Sequence, residues 1–287
     1  MLMSVAVVTD STAYLASEEI ARFGVTVVPL QVVIGGRVLE DVSEVGASDV
    51  AEALKSWSPV TTSRPAPSVF LEAYGEAAAR GATGVVSVHL SAELSGTVEA
   101  ARLAAEKSGI PVMVVDTRSL GMGLGFPVIA AAEAATRGEP LNAVAGAASR
   151  CASRTRSWFY VDTLEHLRRG GRIGAAASLV GTALMIKPLL HIADGAILPL
   201  EKVRTSARAI ARMEDLAVTA AAGNPVDVAV QHLAAPGRAA ELAERLAARV
   251  PSLRRLHVGE VGAVIGAHVG PGMLGVVVSP VVDGQPA

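Results

Sequence analysis

Aromatic residues and cysteine are the scarcest components of this chain. Only 3% of its 287 residues are Phe, Trp or Tyr, although 51% are hydrophobic, so Val, Ala, Leu and Ile must build the core. Such a core can be dense and can also leave a smooth aliphatic cavity. The single cysteine, Cys151, excludes an intrachain disulfide framework and a multi-cysteine metal site. It favours a reducing compartment, and we therefore expect the protein in the cytoplasm.

A large net charge and an uninterrupted membrane-length apolar run are also lacking. The formal net charge is −2, which gives no reason to expect nucleic acid as a partner. Residues 261–282 contain no Asp, Glu, Lys or Arg, but His268 and Gly270-Pro271-Gly272 interrupt this run at its middle. We interpret it as two buried strands joined by a turn and not as a membrane span. No basic region precedes the first apolar residues, which are predicted to begin a strand and not a signal peptide.

Short β-branched runs alternate with Ala-rich helical stretches, a pattern typical of parallel α/β proteins. Residues 25–34 and 37–40 are predicted to be β-like, and Gly35-Gly36 between them suits a tight hairpin turn. A buried helix is predicted over 176–186.

The chain contains no low-complexity linker and no clear internal repeat, and it is predicted to form two domains that pack against each other. The first, 1–155, carries the loops of Thr62 and Ser95. The second, 156–287, carries Arg204 and His268.

Three polar clusters stand where predicted strands end, the usual position of ligand sites in open α/β sheets. They are Thr9-Asp10-Ser11-Thr12, Thr61-Thr62-Ser63-Arg64-Pro65 and Ser91-Ala92-Glu93-Leu94-Ser95-Gly96-Thr97. The last cluster leads directly into a predicted helix, whose free backbone N–H groups and positive dipole end suit a carboxylate. Ordinary capping by Ser95 or Thr97 explains the pattern equally well.

No pattern predicts a cofactor, a metal ion or a catalytic residue. Residues 121–125 have GxGxG spacing, and the nearby Asp116 precedes the glycines, unlike in a dinucleotide fingerprint. Residues 170–174 lack the Lys-Ser/Thr ending of a P-loop. The histidines show no metal-ligand spacing, and Ser95 has no identifiable base and acid partner.

Two single residues each have two interpretations. His268 is a polar ring within an apolar run, so it is either a satisfied core residue or a ligand contact that the surrounding glycines allow. Arg204 precedes a predicted helix and is either a surface charge or a carboxylate partner.

In their order, these clusters and several further stretches resemble the DegV family, whose characterised bacterial members are fatty-acid-binding subunits of fatty acid kinase. Each stretch is a weak pattern alone, but the ordered set is specific and covers nearly the whole chain. The stretches are 8–12, 61–65, 94–97, 115–117, 164–173, 187–190, 202–205 and 267–272.

The resemblance implies a two-domain α/β fold, with an N-terminal three-layer parallel-sheet domain and a C-terminal α/β domain containing a mixed sheet. An acyl chain would be buried between or within the domains. The implied carboxylate contacts are Thr62, Ser63, Ser95, Gly96 and His268. Arg204 and Arg172 are implied at the pocket mouth or at a partner-docking surface. One departure is Arg64, which stands where the family often has Gln and leaves the head-group and docking contacts of that loop open.

The resemblance also implies a substrate-presenting role without catalysis. The chain would bind a long-chain fatty acid, and a separate ATP-dependent kinase subunit would phosphorylate it, so that the acyl phosphate enters phospholipid synthesis. Transient membrane contact fits this role. A buried carboxylate needs several donors, and two hydroxyls with an imidazole N–H would supply them. The alternatives are an α/β enzyme or kinase subunit acting on a short hydroxylated substrate, and a structural or regulatory protein.

Overall fold

A computed structural model describes residues 4–179, 187–221 and 223–281. Its strands β1 to β13 are Val5–Asp10, Thr26–Val28, Gln31–Ile34, Arg37–Glu40, Val60–Ser63, Gly84–His89, Val112–Asp116, Arg156–Tyr160, Lys187–Ala193, Ala196–Val203, Val226–His232, Leu253–Glu260 and Leu274–Pro280. Its helices α1 to α10 are Ser17–Phe23, Ala47–Lys55, Pro67–Ala79, Thr97–Ala105, Met122–Thr136, Leu141–Arg154, Glu165–Arg169, Ser206–Ala220, Pro236–Arg249 and Ala263–Val269.

The first sheet has the strand order β2-β1-β6-β7, and all its pairings are parallel. Every residue of β6 is buried, as expected for a sheet covered on both faces. Val85 packs with α3 and α4 on one face, and Val86 packs with α5 and α6 on the other, because successive strand side chains point to opposite faces. The predicted three-layer parallel sheet is therefore confirmed.

The second sheet is mixed, with the order β10-β9-β8-β13-β11-β12. Its β11–β12 pairing is parallel, and the other pairings between its described strands are antiparallel. Helix α5 lies between the two sheets and contacts β1, β6, β11 and β13. Its buried stretch runs without interruption from Met122 to Ala134, which fits a helix that is apolar on all sides. The expected domain boundary at 155/156 falls between α6 and β8, and the division there stays a prediction.

A third, antiparallel sheet of order β4-β3-β5 carries Thr62. The β-like stretch over 25–34 is divided into two strands, because β2 belongs to the parallel sheet and β3 to this one. Pro29 separates them and has no N–H to donate, while Leu30 N donates to Ser11 Oγ at 3.1 Å. The predicted hairpin is confirmed: the two glycines between β3 and β4 have positive φ, as a tight hairpin turn requires.

The apolar run over 261–282 does not form two strands. Helix α10 takes the place of the first, and β13 forms the second, while residue 282 lies outside the described part of the chain. Periodicity does not separate a short buried helix from a buried strand. A distant side chain supports the helix, because Asp41 Oδ1 accepts a hydrogen bond from Ala263 N at 3.0 Å. Within the described ranges, no helix is long and apolar enough to cross a bilayer.

The helix predicted over 176–186 is only partly described. Gly174–Leu179 forms a 3-10 helix, and residues 180–186 lie outside the described ranges. Helices α3 and α9 and strand β12, which were not predicted from the sequence, complete the helical layers and the edge of the second sheet.

Candidate ligand-binding site

A cavity opens between the third sheet, the loop before α4, and α10. Its walls are aliphatic apart from seven polar side chains, and none of these described wall residues is a carboxylate. The seven are Thr12, Thr62, Ser63, Arg64, Ser95, Arg172 and His268. We call this space, with about 60 Å³ free, the polar cavity.

His268 and Thr62 form its best-defined contact. His268 Nε2 lies 2.8 Å from Thr62 Oγ1, although the two residues are 206 positions apart in the chain. Burial, and secondarily the nearby Arg172 cation, lower the pKa of His268 to about 4. The imidazole is therefore neutral near pH 7 and carries one ring proton.

The ring proton belongs on Nε2. His268 Nδ1 is buried and has no hydrogen-bond partner among the described residues. A buried N–H without an acceptor is rarer in proteins than a buried acceptor without a donor, so the protonated nitrogen is the one facing Thr62. Thr62 Oγ1 then accepts from His268, which leaves its own hydroxyl hydrogen for a group in the cavity. His268 thereby fixes the orientation of the Thr62 hydroxyl, which is available to donate.

Two glycines let this histidine and a second one approach the backbone. A Cβ at Gly170 would lie 2.0 Å from His268 Nδ1, and a Cβ at Gly270 would lie 2.1 Å from His166 Cδ2. Any side chain at Gly170 would thus push the imidazole away. Gly170, in the glycine-rich stretch that lacks the ending of a P-loop, is therefore a packing surface for the site.

Two guanidinium groups give the polar cavity its positive charge. Arg64 is exposed and donates from Nη1 to Gly96 O at 3.2 Å. Arg172 is half-buried and donates from Nε to Leu94 O at 3.1 Å and from Nη1 to Gly170 O at 2.8 Å. With two cations and no carboxylate in the described wall, the cavity favours an anion.

The remaining predicted contacts lie on the rim. Ser95 Oγ lies 2.9 Å from Thr97 Oγ1, immediately before the N-terminal N–H groups of α4. Gly96 contributes its carbonyl to Arg64, and a Cβ there would lie 2.6 Å from Arg64 Nη1. Ser63 is exposed and donates to Gln31 Oε1 at 3.0 Å. The structure thus brings the predicted head-group residues to one place, and their role in binding a ligand stays a prediction.

Arg204 is not brought to the cavity. It is exposed and directly follows β10, whereas Ile197, which lines the cavity, lies near the other end of that strand. At about 3.3 Å per strand residue, the two Cα atoms are roughly 20 Å apart. Arg204 is therefore not among the described wall residues, and its place at a pocket mouth or a partner-docking surface stays a prediction.

A buried hydrogen-bond network behind Thr12 was not assigned a role from sequence. Thr12 Oγ1 donates to Asp10 Oδ1 at 2.5 Å, and Asp10 Oδ2 lies 3.0 Å from both His89 Nδ1 and Leu90 N. Ser87 Oγ extends this hydrogen-bond network, at 2.6 Å from His89 Nε2. The cluster Thr9-Asp10-Ser11-Thr12 marked this place, and its carboxylate holds the cavity wall without facing the cavity.

A second cavity adjoins the first and is almost entirely apolar. It leaves about 50 Å³ free, and residues of β8, β9, β11 and β13 form its floor. Four wall residues are common to both cavities: Leu120, Ile197, Ile265 and Val269. We call this space the apolar cavity. The pair of cavities suits an amphiphile with an anionic head and an aliphatic tail.

Comparisons with known proteins match nearly the whole chain. The model of a family described as "Uncharacterised protein, DegV family" matches residues 4–281. A DegV domain-containing protein of Streptomyces coelicolor is 57% identical over 97% of this chain and 99% of its own length. One of Mycobacterium tuberculosis is 38% identical over 96% of this chain and 97% of its own.

Solved structures are similar over the same extent. A DegV family protein from Thermus thermophilus, described by its fatty acid binding, has a TM-score of 0.92 at 34% identity and covers 97% of this chain and 100% of its own. DegV from Bacillus subtilis, described as a fatty acid binding protein, has a TM-score of 0.90 at 33% identity with the same coverage.

Proposed function

The chain belongs to the DegV family, and from this premise we propose that it binds a long-chain fatty acid, with the carboxylate in the polar cavity and the acyl chain in the apolar cavity. The observation that carries the proposal is the shared wall. A cationic, hydroxyl-lined space adjoins an aliphatic one across four common wall residues, and a fatty acid has the same distribution of polar and apolar groups.

The carboxylate is bound by hydroxyls and backed by two guanidinium groups. Thr62 donates its hydroxyl hydrogen, Ser95 adds a second hydroxyl, and Arg64 and Arg172 supply positive charge. Leaving a buried carboxylate without such partners would cost several kcal/mol. Neutral His268 fixes the direction in which Thr62 donates.

The acyl chain supplies the affinity. Each methylene transferred from water contributes roughly 0.8 kcal/mol, so a dozen give on the order of 10 kcal/mol before the entropic losses of binding. The free volumes of about 60 and 50 Å³ are narrow for such a chain. Binding therefore requires the shared wall of Leu120, Ile197, Ile265 and Val269 to move outward.

Presentation to a kinase is the second part of the proposal. The rim residues Ser63 and Arg64 are exposed, so a carboxylate beside them lies within reach of another protein. A separate ATP-dependent catalytic subunit in the cytoplasm phosphorylates the bound acid and delivers the acyl phosphate to phospholipid synthesis. An enzyme for a short hydroxylated substrate, the alternative, would need a polar pocket, whereas both cavities here have mainly aliphatic walls.

The test begins with denaturing organic extraction of freshly purified protein and mass spectrometry of the extract. We expect stoichiometric fatty acid, absent from a mock purification. Displacement of a fluorescent fatty acid then compares Thr62→Val, which removes the donor, with Thr61→Val, its exposed neighbour on the opposite face of β5. A hydrogen bond to a charged group is worth about 1.5–3 kcal/mol, so Thr62→Val should bind roughly tenfold to a hundredfold more weakly.

Two results would contradict the binding proposal: no extracted lipid together with no uptake of added fatty acid, or equal affinities of the two variants. The kinase step is tested separately with ATP and a bacterial fatty acid kinase catalytic subunit, by trapping acyl phosphate with hydroxylamine. Protein that holds fatty acid but yields no acyl phosphate with any such subunit would refute presentation and leave binding intact.

A further inference from the structure

A buried hydroxyl without a partner lies in the wall of the apolar cavity. Ser157 is on β8, on the same face of the strand as Phe159, and pairs with Val277 on one side and Ile192 on the other. All four residues line the apolar cavity. Ser157 Oγ is shielded from solvent and makes no hydrogen bond with any described residue.

Packing alone does not explain a serine at this position. Its hydroxyl points toward the first turn of α5, where a Cβ at Gly123 would lie 2.9 Å from Ser157 Oγ. Alanine would satisfy the same need for a small side chain and would leave no buried polar atom unpaired. An unsatisfied buried hydroxyl is unfavourable, whereas an apolar group of similar shape at the same place is nearly neutral.

A second polar group in the same cavity points to the same chemistry. Gln231 lies on the cavity-facing side of β11 and accepts a hydrogen bond from Met122 N through Oε1, at 3.0 Å. That bond fixes the amide orientation and leaves the NH₂ group without a partner among the described residues. A cavity for plain hydrocarbon gains nothing from two unpaired polar groups.

We propose that the apolar cavity recognises an acyl chain that carries an oxygen function, a hydroxyl or oxo group, along its length, and that Ser157 is its hydrogen-bond partner. This inference rests on the proposed fatty acid binding and specifies its substrate class. The oxygen lies far from the carboxylate, because the apolar cavity begins beyond the wall that the two cavities share. Its position on the chain is set by the fixed place of Ser157 on β8.

A cleft next to the apolar cavity contains a second serine, which supplies a matched control for Ser157. This solvent-open cleft, between the loop after β7, the end of α6, and strands β8 and β9, is lined by Ser119 as well as by Ser157. A Cβ at Gly123 would lie 2.1 Å from Ser119 Oγ, so both hydroxyls pack against the same turn of α5. Ser119 lines only the cleft among the described cavities, so Ser119→Ala removes a comparable hydroxyl without changing the acyl wall.

The experiment measures displacement of a fluorescent fatty acid by stearate and by hydroxystearates and oxostearates substituted at successive carbons. In the unmodified protein, one isomer with its oxygen in the distal half should bind about tenfold more tightly than the other isomers, the ratio expected for one net hydrogen bond. In Ser157→Ala this preference should fall to within about twofold, with stearate bound at least as tightly as before. Ser119→Ala should keep the preference.

Each other outcome contradicts the inference in a distinguishable way. If every oxygenated isomer binds more weakly than stearate, or if Ser157→Ala keeps the preference, then Ser157 does not select an oxygenated chain, and fatty acid binding stands. If neither stearate nor any isomer binds the unmodified protein, both the proposed fatty acid binding and this inference are wrong. Stearate binding by Ser157→Ala shows that the variant is folded.

Discussion

At the polar cavity, the position of one side chain depends on its close approach to the backbone of a glycine. His268 reaches Thr62 because its Nδ1 edge lies against the backbone of Gly170, where no Cβ fits. Gly170 has ordinary helical backbone angles, so the absence of a side chain matters there and not the freedom of φ. Its neighbour Gly171 has the opposite property, with φ of 70° and nothing within 4 Å of a Cβ position.

This contrast gives a paired prediction. Gly170→Ala should displace the His268 ring, break its hydrogen bond to Thr62, and weaken fatty acid binding by the same tenfold to hundredfold expected of Thr62→Val. Gly171→Ala should cost about 1 kcal/mol of folding stability, because L residues disfavour positive φ, and should leave affinity unchanged. Fluorescent displacement and urea unfolding measure the two quantities. Equal affinity losses in both variants would show that backbone conformation, and not the approach of His268, controls binding.

Two buried titratable groups make opposite contributions to the pH dependence of stability. Burial raises the pKa of Asp41 to about 6 and lowers that of His268 to about 4. The folded state thus holds the Asp41 proton more tightly than the unfolded state, so this contribution is lost as pH rises from about 4 to 6. The folded state binds the His268 proton less tightly, so that contribution is lost as pH falls from about 6.5 toward 4.

Variants with an uncharged amide in place of each titratable group should separate these two contributions. Asp41→Asn should gain stability relative to the unmodified protein as pH rises from 4 to 7. The unmodified protein loses the stabilising contribution of the Asp41 proton over this interval, and the variant has no such contribution to lose. His268→Gln should gain relative stability as pH falls over the same interval. Free energies of unfolding by urea at four pH values are the measurement. Parallel pH profiles for all three proteins would mean that neither group titrates differently in the folded and unfolded states.

At the scale of elements, β13 forms the middle of the apolar floor. Gly275 stands between Gln231 of β11 and Phe159 of β8, and the missing side chain leaves the space over the sheet open. A Cβ there would meet Met273 Cε at 3.3 Å and Phe159 Cβ at 3.5 Å, so a side chain is tolerated but projects into the cavity. This single position therefore sets the depth available to an acyl chain.

Gly275→Val should shorten the chains that bind. Each excluded methylene costs roughly 0.8 kcal/mol, close to fourfold in affinity, so long acids should lose tenfold or more while octanoate is nearly unaffected. Gly259→Val is the control, because Gly259 is exposed on β12 with nothing near its Cβ position. Affinities for acids of 8 to 18 carbons measure the effect. An equal loss of affinity for acids of all chain lengths would show that the substitution disturbs carboxylate binding and not the space for the acyl chain.

Helix α10 joins the site to the first half of the chain. Asp41 accepts from its first N–H, and Ile265 N donates to Tyr14 Oη at 3.3 Å. The short helix therefore takes its position from side chains more than two hundred residues earlier, and it carries Val264, Ile265, His268 and Val269 into the polar cavity. Displacement of α10 would change the head-group contacts and the shared wall together.

At the scale of the whole molecule, both halves of the chain build the binding site. Thr62 and Ser95 come from the first half, and Leu167, Ile197 and His268 come from the second. Helix α5 and the ion pair between Arg255 and Glu133, at 2.9 Å, connect the two sheets. A bound acyl chain touches both halves and opposes their separation.

We therefore expect fatty acid to stabilise the entire protein. A ligand at one hundred times its dissociation constant adds about 2.7 kcal/mol, which corresponds to a rise in Tm of roughly 5 °C or more for a chain of this size. Differential scanning calorimetry with palmitate measures it, with Thr62→Val giving a smaller shift at equal ligand concentration. A shift confined to one of two separate transitions would show that the ligand contacts one half only.

The sequence by itself determined the α/β class through local periodicity, and the family through its ordered motifs. The parallel and mixed sheets followed from the resemblance to that family. The sequence also singled out Thr62, Ser63, Ser95, Arg172 and His268, which the structure gathers at one cavity. It did not determine the helical state of α10, because short apolar runs are ambiguous until distant side chains such as Asp41 cap them.

Only the tertiary structure decided the protonation state of His268 and the packing of Gly170 against its ring. Protonation depends on burial and on partners across 206 positions, and neither is encoded within a local window. The apolar cavity has the same origin, since its walls combine strands from the second sheet with α10 and the loop before α5. Residue types set what each segment can form, and packing between segments decided which polar atoms face one another and where space remains.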